Sequence, residues 1–381
     1  MNRGFIFLLF VVSFSCRESL EVTTPLQRAA HYLWSRQAPD GGWHSPVHGI
    51  MKGGEAHTPF VLFALMQIPE DIYPLPSRKK QKALSFIRSH LNEKGVIGLS
   101  RPEIPEYPNY ATAYALRVLI QNRDAADSIR IKKMQLYLAE QQFTENRGIT
   151  QNHLAYGSWG FGEPDIRTGS TGHLDISHTR KVLQALRSSG YEDSSAYVQA
   201  LRFLAVLQKR TSLQPDPLRY NAQLPEDGKP VISDGGFYIS PIVYSANKGG
   251  IMEETEQTAV CFRSYATATC DGILALLACG VKSEDPSIQI ARKWLEIHPE
   301  LSHDTLPDDP TQWQAATIIY HLWVRSEVYK ALLWQGNWRE EIEQELLAYQ
   351  RADGSYANRA GSRNKEDDPL LATAMAVLIL N

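Results

Sequence analysis

One pattern recurs six times along the chain: a helix ending near Gln, a turn built on Gly and an aromatic residue, then a second helix rich in Ala, Thr and Leu. In the first unit, PLQRAAHYLWSRQ (25–37) sets Leu26, Ala29, Ala30 and Leu33 at helical spacing. The turn PDGGW (39–43) follows. The second helix, TPFVLFALMQI, opens with Pro59 in its first turn, where a missing N–H costs nothing. Later units run RKKQKALSFIRSHLNEKGVIG then NYATAYALRVLI; RIKKMQLYLAEQQ, GSWGFG and LDISHTRKVLQALRSSG; YVQALRFLAVLQ, SDGGFY and YATATCDGILALLACG. The fifth, IQIARKWLEI then QAATIIYHLWVRSEVYKALL, lacks the Gly-aromatic turn, and the second shows a weak form of it. The sixth ends the chain, REEIEQELLAYQRADGSY then PLLATAMAVLIL, at Asn381.

First helices carry Lys, Arg and Glu on one side and suit an outer layer. Second helices are apolar nearly all round and suit a buried inner layer. A lone pair cannot bury its inner face, whereas stacked neighbours can. The last helix is apolar to the terminus and needs a partner, which unit one supplies if the stack closes. The expected fold is all-α, an (α/α)₆ toroid of six helix pairs over residues 25–381.

RAAHYLWSRQAPDGGW resembles the QW motif of squalene-hopene and oxidosqualene cyclases, in which Gln caps neighbouring helix ends and Trp stacks on it. Gln37 to Trp43 matches. Gln350, Asp353-Gly354 and Tyr356 match with Tyr for Trp, and Gln142 is split from Trp159 by an insert. Protein prenyltransferase β-subunits share the ring, so the resemblance implies a terpene-cyclase and prenyltransferase type of toroid and not one chemistry.

In such rings the inner helices start at one mouth of a central cavity, with unpaired N–H groups and positive dipole ends there. Asp175-Ile176-Ser177-His178-Thr179 stands where the resemblance places the Asp-x-Asp-Asp-Thr acid of class II terpene cyclases. Asp175 and Thr179 match. Ser177 replaces the proton-donating Asp and His178 the third Asp, so the family's protonation step loses its acid. Asp175, His178 and Thr179 share a helix face at i, i+3 and i+4. They read as an acid/base pair in which Asp raises and orients the imidazole, or as an Asp N-cap satisfied by His. Further mouth candidates are Glu55, His57 and Thr58; Asn109, Tyr110 and Thr112; Tyr265, Thr267, Thr269 and Asp271; and Asp367, Asp368 and Thr373. Asp-Asp before Pro369 reads first as a helix cap.

No metal or cofactor is expected. Cys270-Asp271 departs from the prenyltransferase Asp-x-Cys order, and Leu371-Ala372-Thr373 stands where that family carries His. Gly41-Gly42, Gly235-Gly236 and Gly249-Gly250 are turn pairs, not a phosphate loop. Cys261, Cys270 and Cys279 read as buried small hydrophobes.

At the N-terminus, Arg3 precedes an apolar run over 5–14 broken by Ser13, and Ser13-Phe14-Ser15 forms a small-x-small cleavage signal before Cys16. The run falls short of the ~20 residues a spanning helix needs. Residues 1–15 are expected to be a signal peptide and 16–24 a short linker, with Cys16 as a candidate lipidation site. The chain is then exported to the cell envelope or periplasm and meets membrane only through that anchor. A net charge of −3 gives no basic surface for nucleic acid. The expected function is that of a squalene-cyclase- and prenyltransferase-like toroid acting on an apolar isoprenoid-like small molecule in the central cavity, without an intact Asp-x-Asp-Asp acid motif. A non-catalytic envelope binding or scaffold protein and a carbohydrate-active (α/α)₆ enzyme are the alternatives.

Overall fold

The computed structural model describes residues 22–101, 103–210, 233–252, 261–302 and 313–381. The signal peptide and Cys16 lie outside the described residues. Helices alternate between an outer and an inner layer: α1 (Pro25–Ser35) and α2 (His57–Leu65), α3 (Ser77–His90) and α4 (Pro108–Asn122), α5 (Ser128–Glu140) and α6 (Ile176–Ser188). The second half repeats this with α7 (Ser195–Leu207) and α8 (Ala266–Ala278), α9 (Pro286–Ile297) and α10 (Ile318–Ala331), α11 (Trp338–Leu347) and α12 (Pro369–Leu380).

Burial separates the layers as the patterning requires. Every residue of α2 is buried, and α8 and α12 are buried almost throughout. By contrast α9 buries Ile288, Ala291, Trp294 and Leu295 along one stripe. Neighbouring inner helices pack in order from α2 to α12, and α12 packs back on α2, so the inner ring is closed. The apolar last helix also packs on α1. The protein is an all-α toroid.

Three local devices hold successive pairs in register. The first is Gln at the end of an outer helix. Gln37 Nε2 donates to Gly41 O and to Lys79 O, both at 2.9 Å. Gln142 Nε2 donates to Gly157 O (3.0 Å) and Ala196 O (2.9 Å), and Gln208 Nε2 to Gly235 O (3.2 Å) and Ser287 O (2.7 Å). Each glutamine thus ties its own turn to the first turn of the next outer helix. Gln350 closes the circle: its Oε1 accepts from Arg28 Nη2 at 2.6 Å.

The second device is a glycine pressed against that next helix. Gly354 has φ +86°, and a Cβ there would stand 2.7 Å from Arg28 O of α1. Only glycine takes this conformation without cost. The third is an inner-helix threonine. Thr58 Oγ1 accepts the Trp43 N–H at 2.9 Å, Thr179 that of Trp159 (3.0 Å), Thr269 that of Phe237 (3.0 Å) and Thr373 that of Tyr356 (2.8 Å). In the weak second turn Ile97 takes the aromatic's place and donates to Thr112 Oγ1 at 3.3 Å. The indoles add a further tie: Trp43 and Trp159 each donate Nε1–H at 2.6 Å to a carbonyl of the preceding outer helix, Leu33 and Leu138.

Candidate active site

The N-terminal ends of α2, α4, α6, α10 and α12 surround a cavity of ≈ 290 Å³. Aromatic and apolar side chains, among them Tyr110, Phe161, Trp313, Trp323 and Met375, make much of its wall. Lys248, Arg363 and Lys365 add cationic groups from the loops. Asp175 is the one carboxylate on the lining among the described residues.

Asp175 caps α6, its Oδ1 accepting the His178 N–H at 2.7 Å. His173 Nε2 lies 2.7 Å and His178 Nδ1 2.9 Å from the other oxygen, Oδ2. Phe161 stacks on the His173 ring with centroids 3.9 Å apart. The cap and the Asp–His pair are therefore one arrangement. Burial works to raise the Asp175 carboxyl, but the two histidines hold it well below the usual carboxylate range. It is an anion at neutral pH and no proton donor. Asp175 was expected to raise the imidazole, and the net effect is the reverse: burial pushes His178 below the usual histidine range against the pull of the carboxylate.

One turn along α6, Lys181 lies on the same face as Ser177. Lys181 Nζ donates to Ser177 Oγ at 2.7 Å and to Tyr320 Oη at 3.0 Å, and the two hydroxyls are themselves 2.7 Å apart. Burial, with Arg180 beside it, pushes the Lys181 amine down to about 7. Tyr320 Oη donates to Asp271 at 3.0 Å. Burial, with Asp271 second, holds that phenol well above its usual range. Behind the wall, Arg180 pairs with Asp271 at 2.6 Å and with Glu327 at 2.9 Å. The first turn of α10, which carries Tyr320, is anchored by Glu366. Its oxygens accept the N–H groups of Tyr320 (2.8 Å) and Ile319 (3.0 Å), and burial pushes the carboxyl up to about 7.

Several residues expected at the mouth do other work. Asp175, His178, His57 and Tyr110 line the cavity. Thr58, Thr112 and Thr179 do not; their hydroxyls are the clamps on the turns. Thr269 and Thr373 are their counterparts. Glu55 is buried and accepts the Gly98 N–H at 2.7 Å, tying the first unit to the second. Asn109 Nδ2 donates to Gly160 O at 2.9 Å. Tyr265 is the N-cap residue of α8; it and Thr267 are buried and outside the lining. Asp271 is buried behind the wall, holding Tyr320 and Arg180. Asp368 caps α12 through the Leu370 N–H, accepts from Ser45, and pairs with His57 at 3.3 Å. Burial opposes its ionisation, yet the contact with His57 and the other bonds bring it to about 2. Asp367 pairs with His48 at 2.8 Å. Of the cysteines, Cys261 and Cys270 are buried, while Cys279 is partly exposed.

Sequence reasoning missed His173, Lys181 and Tyr320, and treated Ser177 only as a lost acid. Lys181 carried a signal: a lysine inside an inner-layer helix breaks the apolar pattern and calls for a partner.

The fold is that of the α/α-toroid enzymes. The type II terpene cyclase MstE from Scytonema is similar at 16% identity and a TM-score of 0.52, over 93% of this chain and 96% of that one. An α-amylase from Clostridium perfringens is similar at 9% identity and a TM-score of 0.51, over 93% and 96% of the two chains. An α-1,6-mannanase from Salegentibacter sp. HEL1_6 is similar at 10% identity and a TM-score of 0.50, over 93% and 97%. No family model matches the sequence, and no curated protein matches it. Isoprenoid and carbohydrate chemistries thus share this ring, and the likeness concerns shape alone.

Proposed function

We propose that this chain is an enzyme of acyl transfer, acting on a small ester-like molecule with an apolar, isoprenoid-like body held in the central cavity. One observation carries the reading: the Lys181 amine, at about 7, stands 2.7 Å from the Ser177 hydroxyl on the cavity wall. A neutral amine in hydrogen-bond contact with a serine is an activating base. Ser177 Oγ forms the bond to the acyl carbon while its proton passes to Lys181 Nζ. The ammonium then returns that proton to the departing alcohol oxygen as the ester C–O bond breaks. Water releases the acyl group by the same route in reverse, its proton going to Lys181 and then to Ser177. Tyr320 Oη, bonded to both groups and to Asp271, orients the pair.

The aromatic wall suits an apolar body, and Lys248, Arg363 and Lys365 on the lining suit an anionic group. A variant of MstE is seen in complex with geranylgeranyl dihydroxybenzoate, its substrate. Carbocation initiation by a carboxylic acid finds no support, since Asp175 is ionised. Among the described residues Asp175 is the single carboxylate on the lining, so they supply no glycosidase pair to this cavity. Export to the envelope, with Cys16 as the anchored residue, belongs to this proposal; the mass of the mature N-terminus tests it.

A fluorophosphonate probe tests the chemistry. Labelling of the folded protein at Ser177, lost in Ser177→Ala and slowed in Lys181→Met, is expected. An unlabelled wild-type protein with full circular dichroism would remove the nucleophile.

A further inference from the structure

Three ligand-type side chains on the same wall take no part in the acyl chemistry. His173 Nε2, Asp175 Oδ2 and His178 Nδ1 all lie within 4.8 Å of one another. They line the cavity. We infer that His173, Asp175 and His178 bind a divalent first-row transition ion of the zinc type, with its remaining coordination open to the cavity.

The donor set is the first argument. Two imidazole nitrogens and one carboxylate oxygen suit zinc, and three protein ligands facing a cavity leave a position for a water or a ligand group. Spacing is the second. Ligand atoms ~2.0–2.1 Å from a tetrahedral zinc stand roughly 3.3 Å apart. The carboxylate oxygen is 2.7 Å from one nitrogen and 2.9 Å from the other, so these two spacings open by a few tenths of an ångström, while the two nitrogens, within 4.8 Å of each other, draw together. Rotations of the two rings about Asp175 make both changes.

Orientation is the third. Capping α6 requires only Oδ1, bonded to the His178 N–H at 2.7 Å. The carboxylate is held rigidly by this bond, and its second oxygen faces both rings. Phe161 fixes His173 by stacking and meets His178 edge-on at 4.7 Å. Glu163 Oε1 accepts the His173 N–H at 3.2 Å and steadies the backbone of that ligand. Such outer contacts are what keep metal ligands aimed. Neither Ser177 nor Lys181 is in the donor set, so the inference stands or falls apart from the acyl reading.

The test uses the untagged full chain, stripped with a chelator and titrated with Zn²⁺ or Co²⁺. One equivalent per chain by elemental mass spectrometry, with visible Co²⁺ absorption of a low-coordinate site, is expected. His173→Ala and His178→Ala should lose both signals. Asp175→Asn should lose them while keeping the helix cap, since Asn caps as well as Asp. Ser177→Ala should keep them. Substoichiometric binding by the folded wild-type protein, or binding that survives both histidine changes, would overturn the site.

Discussion

Ser177 Oγ and Lys181 Nζ stand 2.7 Å apart, one turn apart on α6, and Tyr320 of α10, two inner helices further round the ring, touches both. The hydroxyl nearest the amine is thus presented to an aromatic cavity, while the charges of Arg180, Asp271 and Glu327 are gathered behind it. This separation sets the first expectation. With the amine at about 7, labelling or turnover at Ser177 should rise as pH passes 7 and level off above it. Lys181→Arg keeps the positive charge and cannot serve as a base; the rate should fall by ~10²–10⁴. A pH profile of the labelling rate, taken on both proteins, is the check.

Two buried groups should shape stability against pH in opposite directions. Lys181 is lowered to about 7 from a reference of 10.5, so between these values the unfolded chain binds the extra proton and stability rises with pH. Glu366 is raised to about 7 from 4.5, so its contribution is full below 4.5 and is lost as pH rises through 7. Urea midpoints measured across pH should lose the alkaline rise in Lys181→Met. In Glu366→Gln they should lose the decline between 4.5 and 7.

The threonine clamps should be worth a kilocalorie or more each. Thr179→Val keeps the shape and leaves the buried Trp159 N–H without its acceptor, which costs ~1–3 kcal/mol. Thr58→Val should behave alike at Trp43. Equilibrium urea unfolding reads both; an unchanged midpoint would show that the turns hold without the hydroxyls.

Closure should be sensitive at one atom. Gly354→Ala forces an L-residue to φ +86° and drives its Cβ against Arg28 O. The backbone term alone is ~1–2 kcal/mol. The loss should exceed that and should expose α1 to proteolysis before the rest of the ring. Cleavage sites mapped by mass spectrometry during limited digestion decide it.

Six helix pairs were legible because each carries its own periodicity and its own turn, and because an apolar last helix demands a partner. Asp175 and His178 were legible because they share one turn of one helix at a recognisable place. The role of Thr179 was not: its neighbours in sequence do not say which way the hydroxyl turns, and the clamp needs the Trp159 N–H, 20 residues away. Glu55 and Asp368 flank the starts of α2 and α12 and Asp271 lies in the second turn of α8, but whether a carboxylate faces the cavity or is buried behind its wall depends on the packing of neighbouring helices. Lys181 meets Tyr320 across 139 residues, from a unit whose turn signal is missing. Local patterning thus determines the helices, the layers and the turns. Only closure of the ring brings separate helices to one cavity, and burial inside it, which no single helix supplies, decides which groups keep their charge.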